Sequence, residues 1–124
     1  MQTLEQLRAD DAWKKTQRCS EEYVKLAKGV PALIMNSGLM QVLAFLEEKG
    51  SKESQRHCRD LSEHLRTWLQ ARFPKTIPSA EFAPFMEALM QLEDPRTYQA
   101  ITAEAFDWLR WLRQMAPAAR AGGR

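Results

Sequence analysis

The sequence is poor in the residues from which most simple catalytic and metal sites are made. Of its 124 residues, two are cysteine and two are histidine. Cys19 and Cys58 lie on separate segments with no Cys-x-x-Cys or Cys-His spacing, which excludes a zinc-finger pattern and a disulfide framework. Two reduced, small core residues are the expectation. His57 and His64 are seven residues apart, about 10.5 Å along a helix axis, too far to share one ion unaided. They read as the polar flank of a helix. No His-Glu-x-x-His pattern, phosphate-cradling glycine loop or nucleophile elbow occurs. The acidic pairs Asp10-Asp11 and Glu47-Glu48 are sequence neighbours, which splays their carboxylates around a helix instead of joining them. No apolar run approaches the ~20 residues of a membrane span, and the first residues carry no apolar signal core. The chain is therefore expected to be cytoplasmic, with no membrane partner, no metal, no cofactor and no enzymatic activity. The formal net charge of +2 is too small to imply a polyanionic partner by itself.

What is present is a helical period from end to end, with no clean strand alternation. Thr3 and Gln6 have capping-box spacing, so a first helix is expected from Leu4 to Lys28, stopped by Gly29 and Pro31. Its inward face would use Leu7, Trp13, Tyr23, Val24 and Ala27. Pro31 then suits the first turn of a second helix, broken by a tight turn at Asn36 to Gly38. Both arms around that break are apolar nearly all round and should form the buried centre. A third segment runs from Ser51 to about Arg72, with Cys58, Leu61, Leu65, Trp68 and Leu69 on one face. Pro74 and Pro78 bracket a linker. Ser79 is a possible cap for a helix that starts near Ala83 or bends at Pro84. Asp94-Pro95 opens the last helix, whose stripe is Ile101, Ala105, Trp108, Leu112 and Met115. The expected fold is all-α: a compact bundle of five to six helices in a single domain over residues 1–115, with a flexible C-terminal tail over 116–124.

Clustered cations are more informative than the total. Residues 51–74 carry five basic and three acidic side chains, whereas both flanking stretches are balanced. Lys14, Arg18, Lys25 and Lys28 share one helical stripe, interrupted by Glu21. Lys52, Arg56, Arg59 and Arg66 share another, interrupted by Glu63. Two stripes of roughly 20 Å could track a nucleic-acid backbone, or be solvated helix faces laced with i,i+4 ion pairs. Phe106 and Trp111 lie off the last helix's apolar stripe, by about 160° and 60°. They either pack within the domain or form a patch for a partner subunit. Residues 31–49 have the outline of a helix-turn-helix. A recognition helix must offer polar groups to base edges, and Leu39, Met40, Val42, Leu43, Phe45 and Leu46 do not.

The run Tyr23 to Ile34, followed by Asn36-Ser37-Gly38-Leu39-Met40-Gln41-Val42-Leu43-Ala44-Phe45-Leu46, resembles the small all-helical subunit of the Cmr complexes, the RNA-targeting type III-B CRISPR effectors. Thr102, Glu104-Ala105, Trp108-Leu109, Trp111-Leu112-Arg113 and Ala116 resemble that family's closing Trp-Leu-x-Trp-Leu helix. The chain departs from the pattern at Ser37, Val42 and Gln114-Met115. The resemblance implies a non-catalytic subunit of an antiviral ribonucleoprotein. Copies of it would stack along the inner filament, against the backbone RAMP subunits and the large polymerase-like subunit, and contact crRNA and target RNA. Lys14, Lys15, Arg18, Lys25, Arg56 and Arg59 are then the expected RNA-binding surface, chosen by surface chemistry, and Phe106 and Trp111 the expected partner interface. Repeated weak phosphate contacts would add by multivalency. The alternative is a pure protein–protein spacer with no direct RNA contact.

Overall fold

The computed structural model describes residues 1–123. Six α-helices follow one another: α1 (Leu4–Lys15), α2 (Glu21–Ser37), α3 (Leu39–Lys49), α4 (Arg56–Arg72), α5 (Phe82–Met90) and α6 (Pro95–Gly123), with a 3-10 turn at Glu53–Gln55 leading into α4. Among the described residues every regular element is helical, in agreement with the all-α bundle expected from the period. The long α6 packs along α1 and α2. On the other side α4 packs on α3, α2 and α6, and α5 closes the end formed by α3 and α4.

The core lies where these helices converge. Trp108, Phe85, Leu39, Leu43, Leu61, Leu65, Leu109 and Leu112 are fully buried, each side chain contributing on the order of 2 kcal/mol. The face of α4 expected to be apolar is buried as expected. So are Leu39, Val42, Leu43 and Leu46 of α3, which removes that helix from any base-reading role. Gly38 joins α2 to α3 at φ 88° and ψ 158°, a conformation that essentially only glycine adopts.

Three boundaries differ from the sequence reading. The first helix does not run to Lys28. It closes at Thr16, whose buried hydroxyl donates to the Ala12 and Trp13 carbonyls at 2.9 and 3.1 Å. The chain then turns through Arg18 at φ 63° and restarts under Ser20, whose hydroxyl caps the Tyr23 amide at 3.1 Å. Glu21 and Glu22 follow in the first turn, where the helix dipole favours acids. Accordingly Gly29 and Pro31 lie inside α2; packing on α3, α4 and α6 holds the helix together across the missing proline N–H.

At the C-terminus no tail begins at residue 116. The last helix continues to Gly123, Ala116 and Ala119 are buried, and Arg120 donates to the Cys19 carbonyl at 2.8 Å. Residue 124 lies outside the described residues. Finally, Ser79 does not cap α5: its hydroxyl accepts from the Glu81 amide, and Glu81 precedes the first turn. Pro84 is the third residue of α5, where no intrahelical N–H bond is lost.

The inward face of α1 is also different. Leu7 and Trp13 are exposed, and α1 turns Leu4, Arg8, Asp11, Ala12 and Lys15 away from solvent. The reason lies on α6, which puts Glu104 and the Trp108 indole into the same seam. Glu104 accepts from Arg8 Nε and Nη2 at 2.8 and 2.7 Å and from Trp68 Nε1 at 2.9 Å. Trp108 Nε1 donates to Asp11 at 2.9 Å. Buried polar groups need partners, so the seam selects charged residues over the leucine and tryptophan.

Candidate functional site

Two stretches that are distant in sequence face each other across a cleft of about 560 Å³. One wall is the α1–α2 linker, pinned from behind by Arg120 of α6. The other is the 3-10 turn and the first two turns of α4. Lys15 and Arg18 come from the first wall, Arg56, His57 and Asp60 from the second, and His64 and Tyr23 also line the space.

The Tyr23 hydroxyl lies 2.8 Å from His64 Nδ1, with the two rings tilted by 57°. Burial raises the Tyr23 pKa, helped by the nearby carboxylates of Asp60 and Asp11. The phenol therefore keeps its proton, and because this buried hydroxyl has no other partner among the described residues, it is satisfied by donating to Nδ1. Burial, reinforced by the Lys15 charge, lowers the His64 pKa, against opposing pulls from Asp60, Glu63 and Asp11. The ring is thus neutral near pH 7, and with Nδ1 accepting, its own N–H sits on Nε2.

The cations around this pair are not equivalent. Lys15 Nζ is built into the structure: it bonds Asp11 at 2.8 Å and the His64 carbonyl at 3.3 Å, and lies 5.6 Å from the centre of the Trp108 ring. Arg56 has only long, solvent-exposed pairings, 3.7 Å to Glu53 and 4.0 Å to Asp60, of little energetic weight. Arg18 is exposed, and no carboxylate of the described residues lies within ion-pair distance of it. It is also the one non-glycine residue with positive φ among the described residues, a strained conformation of the kind that clusters at functional sites.

Of the six cations singled out in the sequence, Lys15, Arg18 and Arg56 therefore meet in one cleft. Lys25 lies next to it, in a shallower depression of about 340 Å³ that shares Glu22 and His57 with the first. Lys49 joins Lys25 there, 5.6 Å from the Phe45 ring centre. Lys14 is exposed, paired to Asp10 at 3.0 Å, and outside both depressions. Arg59 is exposed, and its backbone is packed under Gly50, so it lies apart as well. Arg66, counted in the second stripe, is buried at 4% exposure. It bonds Ser62, the Ala80 carbonyl and Glu47, and stacks 5.5 Å from the Phe82 ring centre. It is a structural residue joining α3, α4 and the approach to α5.

Phe106 and Trp111 are both half-buried and border separate grooves. Phe106 lines one of about 360 Å³ with Pro31, Met35, Arg110 and Arg113. Trp111 lines another of about 340 Å³ with Glu5, Arg8, Asp107 and Arg110. Arg110 borders both, so the outer edge of α6 is a ridge with a groove on each side.

Sequence reasoning missed Tyr23 and His64 as a site pair. His64 sits three residues after Leu61, on the shoulder of the α4 apolar stripe, a position that half-buries a polar ring. That was the available signal.

Comparison with known proteins gives two findings. Residues 4–119 match the sequence model of the family described as CRISPR-associated protein (Cas_Cmr5). Over 96 residues, 76% of this chain, the sequence is 28% identical to the "CRISPR system Cmr subunit Cmr5" of Thermotoga maritima. The aligned stretch spans 64% of that relative's length.

Proposed function

The chain belongs to the Cas_Cmr5 family of CRISPR-associated proteins, and from that premise we propose that it is a non-catalytic small subunit of an RNA-targeting Cmr ribonucleoprotein. In this reading it acts in the cytoplasm in antiviral defence. Copies stack along the inner filament of the complex, against its backbone and large subunits, and touch the crRNA–target RNA duplex. None of the described helices is long and apolar enough to cross a membrane.

One observation carries the RNA contact. The α1–α2 linker swings Arg18 to the side of the molecule where α4 begins with Arg56, and Lys15 and Lys25 flank them. Cations from three helices thus share one surface. Phosphate contacts of this kind position a strand without reading bases. Because Lys15 is already committed internally, each copy supplies few free charges, and useful affinity comes from repetition along the filament. The ridge of α6 with Phe106 and Trp111 supplies the protein-facing side, since half-buried aromatics beside unpaired arginines favour interface centres.

The test is charge reversal. Arg18→Glu with Arg56→Glu should lower target-RNA retention by the assembled complex, and the wild-type retention should fade as salt rises. Unchanged retention in the double variant would leave the protein as a spacer between other subunits.

A further inference from the structure

The cleft has a charge pattern that a plain phosphate track would not need. Its three cations, Lys15, Arg18 and Arg56, are matched by three carboxylates, Glu22, Glu53 and Asp60. A bare polyanion gains little from such a balanced surface. A ligand that offers an anionic group and also hydroxyl groups, which both donate and accept, uses both sets.

The Tyr23–His64 pair fixes which way a donor is offered. Tyr23 is 3% exposed, and its hydroxyl occupies His64 Nδ1 at 2.8 Å. No described residue partners Nε2 on the other edge of the ring, while His64 lines the cleft. Asp60, one helical turn before His64, lines the same cleft, so a hydroxyl held at Nε2–H has a carboxylate nearby to receive its own proton. Arg18 stands at the rim with no internal ion pair, held there by its left-handed backbone. A volume of about 560 Å³ lies within the range of small-molecule sites.

We propose that this cleft holds the ribose-phosphate of one nucleotide in one strand of the bound RNA, with Arg18 on the phosphate and the sugar 2′-hydroxyl held between His64 Nε2 and the Asp60 carboxylate. The site then distinguishes RNA from DNA, because the 2′-hydroxyl is the group that DNA lacks. A deoxyribose would leave both the imidazole N–H and the carboxylate without a partner in a half-enclosed space. This deepens the RNA-contact reading and rests on it.

The experiment uses the full chain, and compares single-stranded RNA and DNA of one sequence by fluorescence anisotropy at low salt. His64 ring signals are followed by NMR in parallel. Wild-type protein should prefer RNA by about tenfold, with the RNA titration shifting the His64 signals. Tyr23→Phe, which frees Nδ1 and lets the tautomer change, and Asp60→Asn, a surface change that does not threaten folding, should each bring RNA down to the level of DNA. Equal binding of RNA and DNA by the wild type overturns the ribose reading alone and leaves the phosphate contact standing. A full RNA preference retained in both variants overturns it as well. No binding to either strand overturns the ribose reading, while the phosphate contact stands or falls separately with target-RNA retention by the assembled complex. A free ribonucleoside 5′-monophosphate should shift the same ring signals only weakly; a stronger response to it than to the RNA strand would overturn the assignment to a strand.

Discussion

Replacing Glu104 with glutamine tests whether a buried charge holds the seam between α1 and α6. The carboxylate is 7% exposed and receives three hydrogen bonds, two from Arg8 and one from Trp68. Burial by itself would raise its pKa. The bonds from Arg8 and Trp68, with the Arg8 charge, outweigh burial and hold it below the ordinary glutamate value. Breaking a buried pair from one side costs roughly 3–5 kcal/mol. Here Arg8 keeps Asp107 at 3.3 Å, and that carboxylate is 39% exposed. The loss should therefore sit below that range, about 2 kcal/mol for Glu104→Gln, which preserves an acceptor for Trp68. For a chain of this length that is roughly 8 °C in Tm. The sign with pH follows from linkage. The folded pKa is depressed, so the stabilisation is present above the unfolded value of about 4.3 and is lost as pH falls through the folded value. Urea denaturation should show the full gap between wild type and variant near pH 7, narrowing towards about pH 3. A gap under about 0.5 kcal/mol near pH 7, or one that persists undiminished in acid, would refute the reasoning.

Three other substitutions separate distinct causes. Gly38→Ala should cost about 1–3 kcal/mol by thermal melting; nothing lies within 4 Å of the added Cβ, so the cost is backbone strain alone. Arg18→Gly should act in opposite directions on two readouts. Relief of the left-handed conformation should raise stability by up to about 1 kcal/mol, while RNA retention by the complex falls. Trp111→Ala should cost the isolated fold at most about 2 kcal/mol, because the side chain is only half-buried, yet release the subunit from its neighbours in a co-purification assay.

The apolar centre was legible because its cause is one-dimensional. Leu61, Leu65, Trp68 and Leu69 recur at helical spacing, and Gly38 flanked by apolar arms can only be a break. The α1–α6 seam was not legible in the same way, because its determinants are reciprocal. Arg8 and Asp11 turn inward only because Glu104 and Trp108 need partners from another helix. A hint existed: Glu104 falls between Ile101 and Ala105 on the apolar stripe of α6, and a carboxylate there requires a cation opposite. Arg66, four residues after Ser62 and three before Leu69, carried the same hint from the basic side.

The same reciprocity explains why only part of each basic stripe comes together in the fold. A stripe at helical offsets presumes one continuous helix, and Thr16 ends α1 by back-bonding to Ala12 and Trp13. Lys14 and Arg18 then part: Lys14 stays with Asp10 on the outside of α1, and Arg18 swings across to face Arg56. The interruption that spoils the stripe creates the cleft, since an unbroken helix over residues 4–28 would place no backbone turn opposite α4. The acids that interrupt the stripes, Glu21 and Glu63, do not line the cleft, whereas Glu22 and Asp60 do. Around a concave site with a fixed imidazole donor they are acceptors, and a surface of mixed sign selects a ligand by its hydroxyls as well as by its phosphate.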